Sequence, residues 1–304
     1  ISQNRCDMKG IIVVNAFDCG KNVMYKANRM SDSFSRRGVQ TKIVPNDRFL
    51  AVVGEGGKVG LNTDADFAVY LDKDKYVQYL LEKAGIAVFN SARSTELCDD
   101  KMMTHIALVN HGIDMPMTLG GALCYSGESQ LKEEYLKYIA DTLGLPLVVK
   151  SCYGSYGQQV HLAENYSTLK EIASRLKNSA TLFQRYVKES HGKDMRVIVV
   201  GGKAVAWMTR RSEIDFRSNV EAGGKGYVCD LPDSFRRIAE KSAEILQLDF
   251  CGADILFGKD GPLLCEVNSN AMIGEAERVT EVDIADCYVN HILNKLNYGA
   301  GGRH

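Results

Sequence analysis

Residues Gly252-Ala-Asp-Ile-Leu-Phe-Gly-Lys-Asp-Gly-Pro-Leu-Leu-Cys-Glu-Val-Asn268 constrain this chain most. Two short apolar runs flank a Gly-Lys-Asp-Gly turn signal, the pattern of a β-hairpin. With Lys259, Asp260 and Gly261 as the loop, Phe257 pairs with Leu263 and Asp254 faces Glu266. Asn268 shares the face of Glu266 because side chains alternate along a strand. Opposed Cβ atoms lie roughly 4.5 to 5.5 Å apart, so two carboxylates there repel unless a cation sits between them. Hard oxygen donors from two acids and an amide suit Mg²⁺ or Mn²⁺. The competing reading is a hairpin whose acids point into solvent.

The 304 residues exceed one ordinary hydrophobic core, so two or three subdomains are expected. Lys plus Arg 37 against Asp plus Glu 38 leaves a net charge of -1 with no basic block, which argues against nucleic acid as a partner. Nine cysteines without a Cys-x-x-Cys fit neither a zinc site nor a disulfide framework, and point to a reducing cytoplasm. No apolar run reaches the ~18 residues of a membrane span, and no signal-peptide pattern opens the chain. Residues 1–7, ahead of Met8, read as either non-native or frayed, and 299–304 as a flexible tail.

Strand, helix and strand patterns at 10–15, 22–37 and 41–44 make a βαβ opening, continued by a strand at 66–71, a helix at 73–84 and a strand at 86–89. The first turn, 15–20, lacks a dinucleotide fingerprint. A helix is predicted over 94–112, then a helix at 130–143, strands at 146–150 and 159–162, a helix at 167–177 and a strand at 181–184. Apolar runs 195–200 and 204–208 flank Gly201-Gly202 as a hairpin. Amphipathic helices at 231–246 and 284–296 bracket the acidic hairpin. The fold class is therefore α/β (α+β), with subdomains expected at 1–93, 94–184 and 185–298.

Lys150 ends a strand and precedes Gly154-Ser155-Tyr156-Gly157, where backbone N–H groups could approach phosphate oxygens; a plain turn reads equally well. Arg210, Arg211 and Arg217 could clamp an anion or form a solvated loop. No Walker A loop and no Gly-x-Ser-x-Gly elbow occurs, and the scattered His105, His111, His161 and His191 read as packing or surface residues.

Taken in order, Leu147-Val-Val-Lys150, Gly154-Ser-x-Gly157, Gln184-Arg-Tyr-Val-Lys188-Glu189-x-x-Gly192-x-Asp194-x-Arg196, Arg210-Arg211, Asp215-Phe-Arg-Ser-Asn219, Gly252-Ala-Asp254-Ile-Leu and Glu266-Val-Asn268 resemble the ATP-grasp superfamily. Within it the chain is most similar to the RimK-type α-L-glutamate ligases, and the likeness runs from about residue 95 onward. It implies an ATP-grasp fold behind an N-terminal Rossmann-like domain, in a homo-oligomer. It implies an ATP-dependent carboxylate–amine ligase acting through an acyl phosphate on small-molecule acid and amine substrates, one an amino acid such as glutamate.

By the same resemblance Lys101 and Lys150 would meet the nucleotide phosphates beneath the loop Gly154, Ser155 and Gly157. Gln184, Arg185, Tyr186 and Val187 would meet adenine, and Glu189 or Asp194 the ribose. Asp254, Glu266 and Asn268 would hold Mg²⁺ or Mn²⁺. Arg217 and Asn219 would flank the transferred phosphoryl, with Arg196 and Arg210 also in the catalytic group. The chain departs from the family at Arg185, where a Glu is common, and after Asn268, where Ser-Asn270-Ala-Met272-Ile-Gly274 replaces a Pro-Gly turn; that loop is expected to border the acceptor site. The alternatives are a small-molecule kinase of the same fold and a non-catalytic nucleotide-binding regulatory protein.

Overall fold

The computed structural model describes residues 8–17, 20–154, 157, 159–219 and 223–300, the last four by backbone alone. The start at 1–7, read as non-native or frayed, lies outside these residues, as does the end from 301.

The first sheet follows the βαβ pattern. β1 (Lys9–Val14), α1 (Lys21–Arg36) and β2 (Gln40–Pro45) lead through a small hairpin, β3 (Ala51–Val53) and β4 (Val59–Leu61), to β5 (Phe67–Tyr70), α2 (Lys75–Lys83) and β6 (Ala87–Phe89). The strands lie parallel in the order β2-β1-β5-β6. Helix α1 forms because Val23, Ala27, Met30 and Phe34 recur at helical spacing and bury one stripe.

The single helix predicted over 94–112 is instead two, α3 (Ala92–Asp99) and α4 (Lys101–Leu108). Asp100 breaks it with extended backbone angles, and its carboxylate caps α4 by accepting from the N–H groups of Met102 and Met103 at 2.9 and 3.1 Å. The second sheet then comprises β7 (Thr118–Gly120), α5 (Glu133–Leu143), β8 (Leu147–Ser151), β9 (Val160–Ala163), α6 (Tyr166–Leu176) and β10 (Thr181–Arg185), with strand order β7-β10-β8-β9. Both helices pack on one face around Leu136, Leu147, Leu169 and Phe183.

The third sheet is antiparallel: β11 (Lys193–Val200), β12 (Lys203–Arg211), β13 (Lys225–Tyr227), α7 (Asp233–Ile245), β14 (Phe250–Gly258) and β15 (Gly261–Asn268), in the order β13-β12-β11-β14-β15. Helices α8 (Gly274–Thr280) and α9 (Ile284–Ala300) close the chain, so helix continues to Ala300 where a tail from 299 is expected. One apolar core joins Ile12 and Phe67 of the first sheet and Phe34 of α1 to Ile198 and Phe250 of the third sheet and Tyr288 and Ile292 of α9. Among the described residues no helix is long and apolar enough to cross a membrane.

The hairpin differs from expectation in a way that preserves its chemistry. Gly258 pairs with Gly261 and Phe257 with Pro262, so the turn holds two residues, not three; Gly261 sits at φ +145, a conformation open to glycine. A β-bulge then intervenes between Ile255↔Leu264 and Asp254↔Glu266, leaving Cys265 as the extra residue. The two offsets cancel. Asp254 faces Glu266, and Asn268 pairs with Gly252.

Lys26 ties α1 to the loop beyond this hairpin. Its buried Nζ donates to Asn270 Oδ1 at 3.0 Å and Ala271 O at 3.1 Å, and lies 3.8 Å from the Phe250 ring centroid. Burial pushes its pKa down to about 7. In the unfolded chain a lysine titrates near ~10.4, so between about 7 and ~10.4 the unfolded state holds a proton that the folded state lacks. Stability from this group therefore rises with pH across that window, and the full penalty of burying the charge remains below it. Urea unfolding should show wild type gaining about 2 kcal/mol on Lys26→Met between pH 7 and 9; parallel pH profiles would contradict this.

Candidate functional site

Sheet register builds the most deeply buried part of the site. Asp194 lies directly opposite Arg210 across β11 and β12, and Arg196 directly opposite Asp254 across β11 and β14. Asp194 and Arg196 are two residues apart, so both side chains emerge on one face. Arg196 grips Asp254 with two N–H groups, the Nη2–Oδ2 bond being 2.8 Å. Arg210 grips Asp194 likewise, its Nε reaching Oδ1 at 2.8 Å, and its Nη2 also lies 3.0 Å from Asp254 Oδ1. All four side chains are buried. Burial alone would raise the Asp254 carboxyl, but Arg196 and Arg210 outweigh it and hold the group below the usual range.

Two lysines approach from the second sheet and from α4. Lys150 Nζ donates to Gln184 Oε1 at 2.8 Å and lies 3.4 Å from the Sγ of the bulged Cys265. Gln184 in turn donates to Thr118 Oγ1 at 2.9 Å and pairs at 3.2 Å with His105 Nε2. His105 Nδ1 lies 2.7 Å from the Lys101 carbonyl, which can only accept. The network thus assigns the proton to Nδ1 and makes Nε2 the acceptor. Burial, with Lys150 nearby, depresses the His105 pKa, in keeping with a neutral ring. His105 does more than pack: it orients the amide that holds Lys150. Lys101, placed by the Asp100 cap, sends Nζ to Gly154 O at 3.1 Å and stands 3.7 Å from Glu266.

Arg217 spans the remaining side. Its Nε and Nη2 donate to Asp215 at 3.0 and 2.7 Å, and its Nη1 donates to Gly157 O at 2.5 Å. Gly157 has φ +68, a left-handed conformation that favours glycine.

These residues line one cavity of about 680 Å³. Of the residues singled out from sequence, Lys101, Lys150, Gly154, Gly157, Gln184, Arg185, Tyr186, Val187, Asp194, Arg196, Arg210, Arg217, Asn219, Asp254, Glu266 and Asn268 all face it. Glu189 does not; it is exposed on the short turn Lys188–Ser190. Ser155 lies outside the described residues. The Arg185 guanidinium points to the carbonyls of Thr142 and Leu143 at the end of α5, so only its backbone is left to serve the cavity.

The loop singled out after Asn268 lines the cavity through Asn270, Ala271, Met272 and Gly274, while sequence reasoning missed Asn15, Asn22, Asp72, Glu275 and Arg278. Asn15 directly follows β1 and Asp72 lies two residues past the end of the parallel strand β5, and the crevice at the carboxyl ends of such strands was the available signal. Among the described residues no three His, Cys, Asp or Glu are arranged to hold a metal by themselves.

Comparison with known proteins gives the family. Residues 98–292 match the RimK-like ATP-grasp domain. The chain belongs to that family. It is 36% identical over 234 residues to human N-acetylaspartylglutamate synthase A, a match covering 75% of this chain and 58% of the synthase, so the chain spans under two thirds of that relative. It is 33% identical over 221 residues to a probable alpha-L-glutamate ligase of Maridesulfovibrio salexigens, covering 72% of this chain and 71% of the ligase. Among solved structures, the ATP-grasp ligase PsnB, complexed with a variant of its minimal precursor, Mg and ADP, superposes with a TM-score of 0.67 at 18% identity over 95% of this chain and 99% of PsnB. The fold is an ATP-grasp fold.

Removing one partner of a buried ion pair strands the other. Arg210→Met should therefore cost about 3 kcal/mol or more in urea unfolding at pH 7; a loss under about 0.5 kcal/mol, the range of ordinary surface changes, would contradict the arrangement.

Proposed function

We propose that this RimK-like ATP-grasp protein is a carboxylate–amine ligase that uses ATP and Mg²⁺ to form an amide through an acyl phosphate, with an amino acid such as glutamate as one substrate. The observation that carries the reading is the convergence of Lys101, Lys150 and Arg217 with the opposed Asp254 and Glu266 around one cavity. Relatives named as a glutamate ligase and an N-acetylaspartylglutamate synthase support the substrate class.

The donor set suits the cation. Each carboxylate oxygen has two acceptor sites, so the arginines leave Asp254 able to share an ion with Glu266 and with the Asn268 amide, which lies 3.5 Å from it. With only two acids present, oxygens of a bound nucleotide would complete the shell, a Mg²⁺-type arrangement that Mn²⁺ also accepts. When bound, Mg²⁺–ATP supplies the phosphoryl group and neutralises its charge.

The chain's own residues then position the reactants. Lys150, held by Gln184, and Lys101, held at the α4 N-terminus, would set their ammonium groups against the nucleotide's phosphates, and the backbone of Arg185, Tyr186 and Val187 would meet its adenine. Arg217 is held by Asp215 against the glycine loop, where its charge offsets the repulsion between a substrate carboxylate and the terminal phosphate. The carboxylate oxygen bonds to that phosphorus as the bridging P–O bond breaks and ADP departs. The amine then bonds to the acyl carbon, the C–O bond to phosphate breaks, and the amine's proton leaves with the products. No protein nucleophile is needed.

Incubation with ATP, Mg²⁺ and paired acids and amines should release ADP and phosphate one for one with amide; ADP release with a stable phosphorylated acid would overturn the ligase reading. Glu266→Ala should lower turnover by at least about 100-fold with the unfolding midpoint nearly unchanged, and wild-type turnover would remove Glu266 from the metal site. Arg217→Ala should reduce kcat about 10- to 100-fold with little change in the KM for ATP, whereas a raised KM at constant kcat would contradict its role.

A further inference from the structure

At the same cavity Asn15 directly follows β1, and Asp72 lies two residues past the end of β5. β2 and β5 flank β1 on opposite sides, so these two positions mark the crevice where the sheet's connections diverge, the usual ligand position in a parallel sheet. The Asp72 carboxylate is half-buried and accepts two amide N–H bonds on Oδ2, from Asn15 Nδ2 at 3.0 Å and Asn46 Nδ2 at 2.7 Å. Those amides are themselves fixed, since Asn15 Oδ1 accepts from Phe17 N and Asn46 Oδ1 from Ala16 N, at 2.8 and 2.9 Å.

Among the described residues no cationic side chain pairs with Asp72. The adjacent Lys73 is engaged with Asp99 at 3.1 Å. Burial lifts the Asp72 carboxyl above its ordinary range, as expected for an acid given dipoles but no counter-charge. A half-buried carboxylate held rigidly at a cavity wall without a cation is a receptor for one.

We propose that Asp72, oriented by Asn15 and Asn46, binds the ammonium group of an amino-acid substrate. The proposal rests on the ligase reading for its cavity and adds the charge that the substrate must carry. It separates a free amino acid, which the site accepts, from an N-acylated one, which leaves Asp72 facing an amide.

Asp72→Asn is a close probe because the amide oxygen still accepts from both asparagines while the charge is gone. Calorimetry on protein loaded with Mg²⁺ and AMPPNP would survey the twenty L-amino acids, then compare the tightest binder with its N-acetyl derivative. In wild type acetylation should weaken binding at least about tenfold, and Asp72→Asn should lose a similar factor and show no further effect of acetylation. The proposal is overturned if no amino acid binds, if acetylation is neutral in wild type, or if Asp72→Asn binds the free amino acid as wild type does. The acetylation comparison uses unaltered protein, so it stands even if the variant misfolds. Failure of AMPPNP to bind wild type would instead sink the ligase reading, and the same titrations on nucleotide-free protein would still decide the role of Asp72.

Discussion

The buried alternation of Asp194, Arg210, Asp254 and Arg196 is the interaction on which the rest of the site depends. It spans three adjacent strands, and the cross-strand register of β11 with β12 and β14 places each acid opposite an arginine. Such a cluster is costly to desolvate and is tolerable only when every charge has a partner in good geometry. Here the bidentate contacts meet that condition. The same contacts keep Asp254 ionised and fix its oxygens.

Around that fixed point the other sheets deliver complementary charge. Lys150 reaches across from β8 on a relay through Gln184 and His105, and Lys101 is aimed by the Asp100 cap. Lys101 stands 3.7 Å from Glu266 and Lys150 3.4 Å from Cys265, so two cations meet the acidic hairpin at the cavity that Arg217 also lines, bringing both signs of charge together. Apolar packing fixes the spacing: α1 and the first sheet share a core with α9 and the third sheet, and Lys26 fastens α1 to the loop after Asn268. The cavity's walls are therefore built by different sheets that meet at the loop after Asn268.

Much of this was legible in the residues. Periodicity gave the βαβ opening and the hairpins, and the turn-set hairpin register gave the facing of Asp254 and Glu266. The bulge at Cys265 was not legible, because a two-residue turn plus a bulge and a three-residue turn without one yield the same facing acids. The break between α3 and α4 was half visible: Asp100 marked a helix start, but helical composition on both sides hid the interruption. The pairing of Arg196 with Asp254 depends on register between strands 58 residues apart, which local pattern does not encode. His105 gave no signal because its role arises only when α4 lies beside β10. Asn15 and Asp72 are polar residues just past apolar strands, and only the parallel topology gives them meaning.

The account's central claim is that the cavity activates a carboxylate by transferring a phosphoryl group to it before an amine attacks. The most direct test follows oxygen. With the acid substrate labelled by ¹⁸O in its carboxylate, each amide formed should leave one labelled oxygen atom in the released inorganic phosphate. Unlabelled phosphate accompanying amide formation would contradict the account.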